Sequence, residues 1–478
     1  MSSGTDRRWL TLAIVGAAFF MTVLDVAIVN VAIPSIEQDL NISELTAQWT
    51  ITAYAITFGG FLLLGGRMAD LLGRRRVFIV GLVLFTLASL VCGFAGSAGV
   101  LIAARAIQGL GAAIISPAAL SIVTTTFTEG AERNNALGIW GALGGSGAAA
   151  GVLFGGILTK YLGWEWIFFV NVPVGALVLL LTLRFVPESR AALGHRVYDI
   201  AGAVTITSSL AILVYAVSNA PNVGWVTART ILLLVASGVL GLASIVIEMR
   251  SSAPLVPMRI FRLRSLLAAN VVGFLLGAVI FANFFVLTLY VQQVLGWSAL
   301  ETGVTFLATA GTTVIWAGVA RALTTRYGPR PVIVVGMLVL AASLGWYTQI
   351  PVGGHYWPDL LPAYITFALG LAFSFVPVSI AALAQVEPQE AGLASGLINT
   401  NQQIGGAIGV ALAATIFTSH AKSLLKTGHS PAEAFTSGYQ VAFWALLGIA
   451  LAGAVAAFVL LRGAEVEVPE AEPVQAPV

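Results

Sequence analysis

Fourteen apolar stretches, each long enough to cross a bilayer, follow one another along these 478 residues with only short polar loops between them. About twenty apolar residues in a helix span a hydrocarbon core of roughly 30 Å, and within that core every backbone polar group must find its partner inside the protein. A chain that repeats this pattern can only fold as a bundle of transmembrane helices. The expected spans are 9–33, 46–65, 77–95, 100–124, 135–159, 166–186, 198–218, 229–247, 266–289, 302–320, 331–350, 359–383, 391–418 and 440–461. Composition agrees, with 58% hydrophobic and only 9% charged residues, well outside the soluble range. The first stretch is too long for a cleaved signal peptide and is expected to stay in the membrane.

The basic residues give an independent test of this count, because Lys and Arg collect in cytoplasmic loops. With the N-terminus inside, the inner loops and tails hold 18 of the 23 Lys and Arg residues, including Arg67, Arg74, Arg75, Arg76, Arg326 and Arg330. The outer loops hold four, and Arg105 falls inside the fourth span. Both termini are therefore expected in the cytoplasm. A net charge of +2 with no soluble basic domain gives no reason to expect nucleic acid as a partner. The four histidines are scattered and Cys92 is the sole cysteine, so neither a metal site nor a disulfide is expected. No GxxxxGK motif followed by Ser or Thr is present, which removes ATP as the energy source.

Two charges remain where a membrane protein can least afford them. Asp25 lies inside the first span and Arg105 inside the fourth, and a charge at bilayer depth costs about 2.5–3.5 kcal/mol on insertion scales. A carboxyl kept there is a candidate proton carrier, with Asn30 as a neutral polar partner. Arg105 needs an anion; Gln108 and Gly109, three and four residues on, share its helical face. In the fifth span Gly147, Gly151 and Gly155 recur every four residues, a stripe along which a second helix can pack almost backbone to backbone.

Internal similarity organises the rest. Gly66 to Arg76 reads GRMADLLGRRR after the second span, and Arg321 to Arg330 reads RALTTRYGPR after the tenth. Superposing Gly73 on Gly328 places the repeat eight spans apart, as in six helices, two inserted helices and six more. The expected units are an N-terminal bundle over 1–190, the inserted pair over 191–250, a C-terminal bundle over 251–462 and a disordered acidic tail over 463–478. In the first of the two loops Gly66 and Gly73 allow tight turns, and Asp70 can pair with Arg74 or cap a neighbouring helix.

The strings LDVAIVNVAIP, GRMADLLGRRR, ARAIQGLGAA, WEWIFFVNVPVG and SGLINTNQQIGGAIG, with the glycine ladder of span five, together resemble the fourteen-span drug/proton antiporter branch of the major facilitator superfamily. The resemblance covers nearly the whole chain. It implies an all-α integral membrane fold of two six-helix halves plus two inserted helices in a bacterial cytoplasmic membrane. It also implies a proton-coupled exporter of small lipophilic drugs or antibiotics, with no cofactor and the proton gradient as its drive. In its terms Asp25 and Arg105 couple protons, and Gly66, Asp70, Gly73 and Arg74 form a conformational latch. Two departures stand out. Val152 follows Gly151 where relatives carry proline after the glycine that faces the fourth span, and Glu165 separates Trp164 from Trp166 where many carry arginine.

Substrate chemistry is less determined. Phe281, Asn283, Phe284 and Tyr290 in span nine, with Asn399 and Gln402 in span thirteen, mix aromatic and amide groups as a lipophilic pocket would. Acidic residues are scarce at the other mid-membrane positions, so neutral or singly charged aromatic compounds are expected rather than dications. A monomer in contact with lipid, substrate and protons is expected. A proton-coupled carrier of a metabolite such as a siderophore or amino acid uses the same fold, and a non-transporting membrane sensor or scaffold is the remaining alternative.

Overall fold

The computed structural model describes residues 3–42, 44–127, 130–189, 200–251, 258–387 and 390–461. All the regular structure in them is helical. The first half comprises α1 (Ser3–Asp39), α2 (Glu44–Leu72), α3 (Arg74–Gly93), α4 (Ala98–Thr126), α5 (Ala131–Tyr161), the short α6 (Trp166–Phe169) and α7 (Asn171–Phe185). Next come α8 (Ile200–Val223) and α9 (Ala228–Arg250). The second half holds α10 (Arg264–Leu289), α11 (Ala299–Tyr327), α12 (Pro329–Tyr347), α13 (Leu361–Leu383), α14 (Ala391–Lys426) and α15 (Pro431–Leu460). The expected break at residue 190 and the tail 463–478 lie outside the described residues.

Thirteen helices among the described residues are long and apolar enough to cross a membrane, with α6 and α7 counting as one crossing. Helix α5 is not among them, yet it runs 31 residues and packs along both α1 and α11. Several helices overshoot their expected spans: α1 begins at Ser3 and α14 is 36 residues long. Hydropathy marks only the hydrocarbon zone, whereas a helix continues wherever its backbone bonds still close. Serine N-caps with a reciprocating glutamate three residues on start α11 (Ser298 with Glu301) and α15 (Ser430 with Glu433), which gives Glu301 a structural use.

The two halves repeat one packing scheme. Helix α4 packs on α2 and α3, and α13 packs on α11 and α12. Gly73 (φ 108°) and Gly328 (φ 81°) occupy equivalent joints, each preceding the helix that follows its loop, in a backbone conformation that side chains resist. The inserted helices clasp each other through reciprocal bonds, Ser209 Oγ to the Ser237 carbonyl at 2.8 Å and Ser237 Oγ to the Ser209 carbonyl at 2.9 Å. Helix α8 then lies across the junction of the halves. Its Ala211 sits against Gly60 of α2, α8 also packs on α14, and Trp225 just beyond it donates to Thr415 Oγ1 at 2.8 Å.

Candidate functional site

Helices α1, α4 and α7 bring polar side chains to one point inside the first half. Asp25 of α1 is fully buried, and Arg105 of α4 is 1% exposed. Arg105 Nη1 donates to Asp25 Oδ2 at 2.6 Å, Gln108 Nε2 to Asp25 Oδ1 at 2.8 Å, and Asn171 Nδ2 to the same oxygen at 2.9 Å. All three neighbours donate, which is the arrangement a carboxylate demands. Arg105 is satisfied in turn: Nε donates to the Thr50 carbonyl at 2.9 Å, Nη1 to Gln108 Oε1 at 2.6 Å, and its guanidinium lies 4.2 Å over the Tyr54 ring. Gln108 also donates to Ser89 Oγ at 2.6 Å. Gly109 lets α2 approach closely, since a side chain there would strike Thr57 and the Tyr54 backbone.

Asn30 is not part of this cluster. Five residues beyond Asp25 on a helix lies about 140° around the axis; its amide instead donates to the Val26 carbonyl at 3.0 Å and is exposed. The amide that does complete the site, Asn171, stands in the WEWIFFVNVPVG string but is not among the residues that sequence alone singles out. A polar residue in an apolar run, followed two places on by Pro173 at the start of a helix, is the available signal.

A second buried cluster joins the halves at the end that carries the Arg-rich loops. Asp70, fully buried, pairs with Arg74 at 2.9 Å and accepts the backbone N–H groups of Gly392 (3.1 Å) and Leu393 (3.0 Å) at the start of α14. Arg74 also donates to Ser121 Oγ at 2.6 Å. A carboxylate on a helix N-terminus satisfies orphan donors and opposes the positive end of the helix dipole. Gly73 makes the turn expected of it, but Gly66 does not turn the chain. It lies inside α2 with its Cα facing the Gly392 carbonyl, where any side chain would collide. Nothing local to Gly66 tells a turn glycine from a contact glycine, because the helix it meets lies more than three hundred residues on, as the 322-residue separation of Asp70 and Gly392 shows.

The glycine stripe of α5 packs on α1: Gly147 meets Val23, Gly151 meets the Leu24 carbonyl and Ala27, and Gly155 meets the Ile28 carbonyl. Gly151 therefore faces the first span and not the fourth, so the stripe sets the helix that carries Asp25. Trp164 turns inward, donating to Asp39 at 3.0 Å, while Trp166 is exposed.

The aromatic and amide groups of the second half are dispersed. Tyr290 is buried, donates to the Pro351 carbonyl at 2.6 Å and meets Tyr439 edge-on at 6.2 Å. Phe284 packs on Phe306 (5.1 Å) and Phe367 (6.3 Å), and Phe281 covers Gly406 of α14. These contacts use the rings for packing within the half. Asn399 donates to the Ser395 carbonyl at 2.8 Å, and the Gln402 backbone abuts Gly277. Asn283 is buried with an Oδ1 that has no hydrogen-bond partner among the described residues.

Two similar helical halves, a buried acid–arginine site in one and a charged seam between them define a multi-pass membrane transporter. The chain belongs to the Major Facilitator Superfamily, whose family model matches residues 15–410. It is 41% identical to the puromycin resistance protein pur8 of Streptomyces alboniger over 95% of this chain and 92% of that one. It is 38% identical to the cephamycin export protein CmcT of Amycolatopsis lactamdurans, over 95% and 93%. The human organic anion transporter MFSD10 (TETRAN) has the same fold, with a TM-score of 0.62 at 16% identity, over 94% of this chain and 100% of that one. With such relatives and so many apolar helices, the protein resides in a bacterial inner membrane.

Proposed function

We propose that this protein exports small lipophilic drugs or antibiotics from the cytoplasm in exchange for protons. Asp25 carries the proton, the protein acts as a monomer, and fourteen crossings, α5 included, leave both termini in the cytoplasm. The Asp25–Arg105 contact at 2.6 Å supports this reading most directly. Three donors suit the carboxylate, and a proton on Asp25 withdraws the counter-charge from Arg105 at membrane depth. Leaving one member of a buried pair unmatched costs about 3–5 kcal/mol. Proton loading and the present packing therefore oppose each other, which links protonation to a change of shape.

In the cycle, substrate binds with Asp25 ionised and the cytoplasmic end open. The halves then rock, substrate leaves, and Asp25 takes a proton from outside that it releases inside. One charge moved across 100 mV supplies about 2.3 kcal/mol, enough for useful accumulation of a neutral solute. The names of the puromycin and cephamycin relatives support a drug-like cargo. The test is substrate-driven proton movement in proteoliposomes, wild type against Asp25→Asn. Wild type should move protons with a matching drug and the variant should not; transport by the variant against a gradient at the wild-type rate would refute the assignment.

A further inference from the structure

One face of α2 meets two different helices. Gly59 and Gly66 are seven residues apart, which on a helix leaves them within about 20° of one another around the axis. At Gly66 this face meets α14 against the Gly392 carbonyl, and Gly396 of α14 rests beside it on Leu62 and Leu63. At Gly59, toward the outer end remote from the Arg-rich loops, the same face meets α8 instead. Gly59 lies against Val214, and Gly60 against Ala211 so closely that a Cβ on the glycine would stand 3.0 Å from that of the alanine. Trp49, nearer still to the outer end, stacks on Tyr215 of α8 at 5.8 Å.

Helix α8 is held there from two sides. Behind it α9 is joined through the Ser209–Ser237 clasp, and α9 turns much of its own surface outward, Leu232, Leu242 and Met249 included. On the other side Trp225 donates its indole N–H to Thr415 Oγ1 of α14 at 2.8 Å. Thr415 gives its own proton to the Ala411 carbonyl at 2.7 Å, so its hydroxyl is fixed as the acceptor. Small residues thus let α8 lie close on the first half, while one indole ties its outer end to the second. Rocking that parts the inner ends brings the outer ends together, and α14 then needs the Gly59 face that α8 fills. We propose that α8 is a wedge that keeps the outer ends of α2 and α14 apart, and that Trp225 is the residue that seats it. The inference rests on the rocking of the halves in the proposed cycle, and on neither the cargo nor Asp25.

The experiment measures the distance between spin labels at exposed Gln38, the outer end of α1, and exposed Lys422, the outer end of α14, in a Cys92→Ala background. Ala211→Leu, whose side chain does not fit over Gly60, should unseat α8 and raise the short-distance population. Trp225→Phe keeps an aromatic ring without the N–H and should raise that population about three- to tenfold, the size of one neutral hydrogen bond. A hairpin that only adds stability would lower the thermal midpoint and leave the distances alone. An unchanged distribution in either folded variant overturns the proposal, and should Ala211→Leu not fold, Trp225→Phe decides by itself. If the outer pair stays fixed in these variants while Asp70→Asn lengthens the distance between labels at Leu72 and Glu387 at the inner end, the halves rock and the wedge alone is refuted. If neither pair moves in any variant, the wedge and the rocking reading fall together.

Discussion

Asp70→Asn isolates the charge that ties the halves together at the loop-rich end. The substitution keeps size and one acceptor oxygen but removes the carboxylate that receives Arg74 and the N–H groups of Gly392 and Leu393. A charge-assisted bond contributes roughly 1.5–3 kcal/mol where a neutral one contributes about 0.5–1.5, so two bonds across the junction lose about 2 kcal/mol. Loss of the negative charge at the start of α14 adds about 0.5–2 kcal/mol. Only these cross-junction contacts are broken when the ends part, since Arg74 travels with Asp70 on the same half. The ratio of closed to open populations at this end should therefore fall by roughly two to three decades, at about 1.4 kcal/mol per decade. The sole cysteine, buried Cys92, can be replaced by alanine, and spin labels placed at exposed Leu72 and Glu387 report the separation of the ends. Electron–electron distance distributions should shift markedly to longer values in the variant. A distribution unchanged from wild type refutes the idea that Asp70 holds the closed state.

Other outcomes follow from single contacts. Gly66→Val, whose side chain meets the Gly392 carbonyl, should open the same end as Asp70→Asn does, read by the same distance pair. Arg105→Met leaves Asp25 buried without its counter-charge and should cost about 3–5 kcal/mol. Adding Asp25→Asn should restore part of this, so thermal unfolding in detergent should show a non-additive double-mutant cycle. Gly151→Leu drives a side chain into the Leu24 carbonyl and should displace α1 from α5, abolishing export in a susceptibility assay while Gly238→Leu, at a glycine open to free space, does not. Gly73→Ala must hold φ near 108° with a Cβ and should lower stability by about 1–2 kcal/mol, read as a lower midpoint of thermal unfolding in detergent.

What can be read from the chain divides by physical range. Hydropathy is a sum over many residues, and thirteen of the expected spans coincide with a helix long and apolar enough to cross a membrane, although the helices themselves run as many as nine residues past them. Asp25, Arg105 and Gln108 are legible because a buried charge is too costly to be incidental. Their convergence rests on helical periodicity along α4 and on one predictable demand, an anion for the arginine. Asn171 is not legible, because its role depends on which helix faces which, and nothing local encodes that. Asn30 misleads through closeness in sequence, which on a helix means little at a spacing of five. Gly66 shows the same limit: glycine signals that something comes close, not whether the neighbour is its own chain or a helix from the other half.

The repeat of packing across the halves also shows where the symmetry stops. Gly111 of α4 rests on the Phe85 amide and Gly81 carbonyl of α3, and Gly370 of α13 rests on the Leu340 amide and Gly336 carbonyl of α12. Six residues before Gly111 stands Arg105; six before Gly370 stands Tyr364. Counting twenty-three residues back from the joint glycines Gly73 and Gly328 gives Thr50 and Thr305. The correspondence carries through to the contacts, for Arg105 donates to the Thr50 carbonyl and Thr305 Oγ1 bonds the Tyr364 hydroxyl at 3.3 Å. The second half thus pairs the same two positions through hydroxyl groups, with a neutral phenol where the first half has the guanidinium. Where the first half has Asp25 fixed by an arginine, the second has aromatic rings and hydroxyls that bond one another. Among the described residues the buried acid–arginine pair thus belongs to one half, and the equivalent arginine position in the other half carries a neutral side chain.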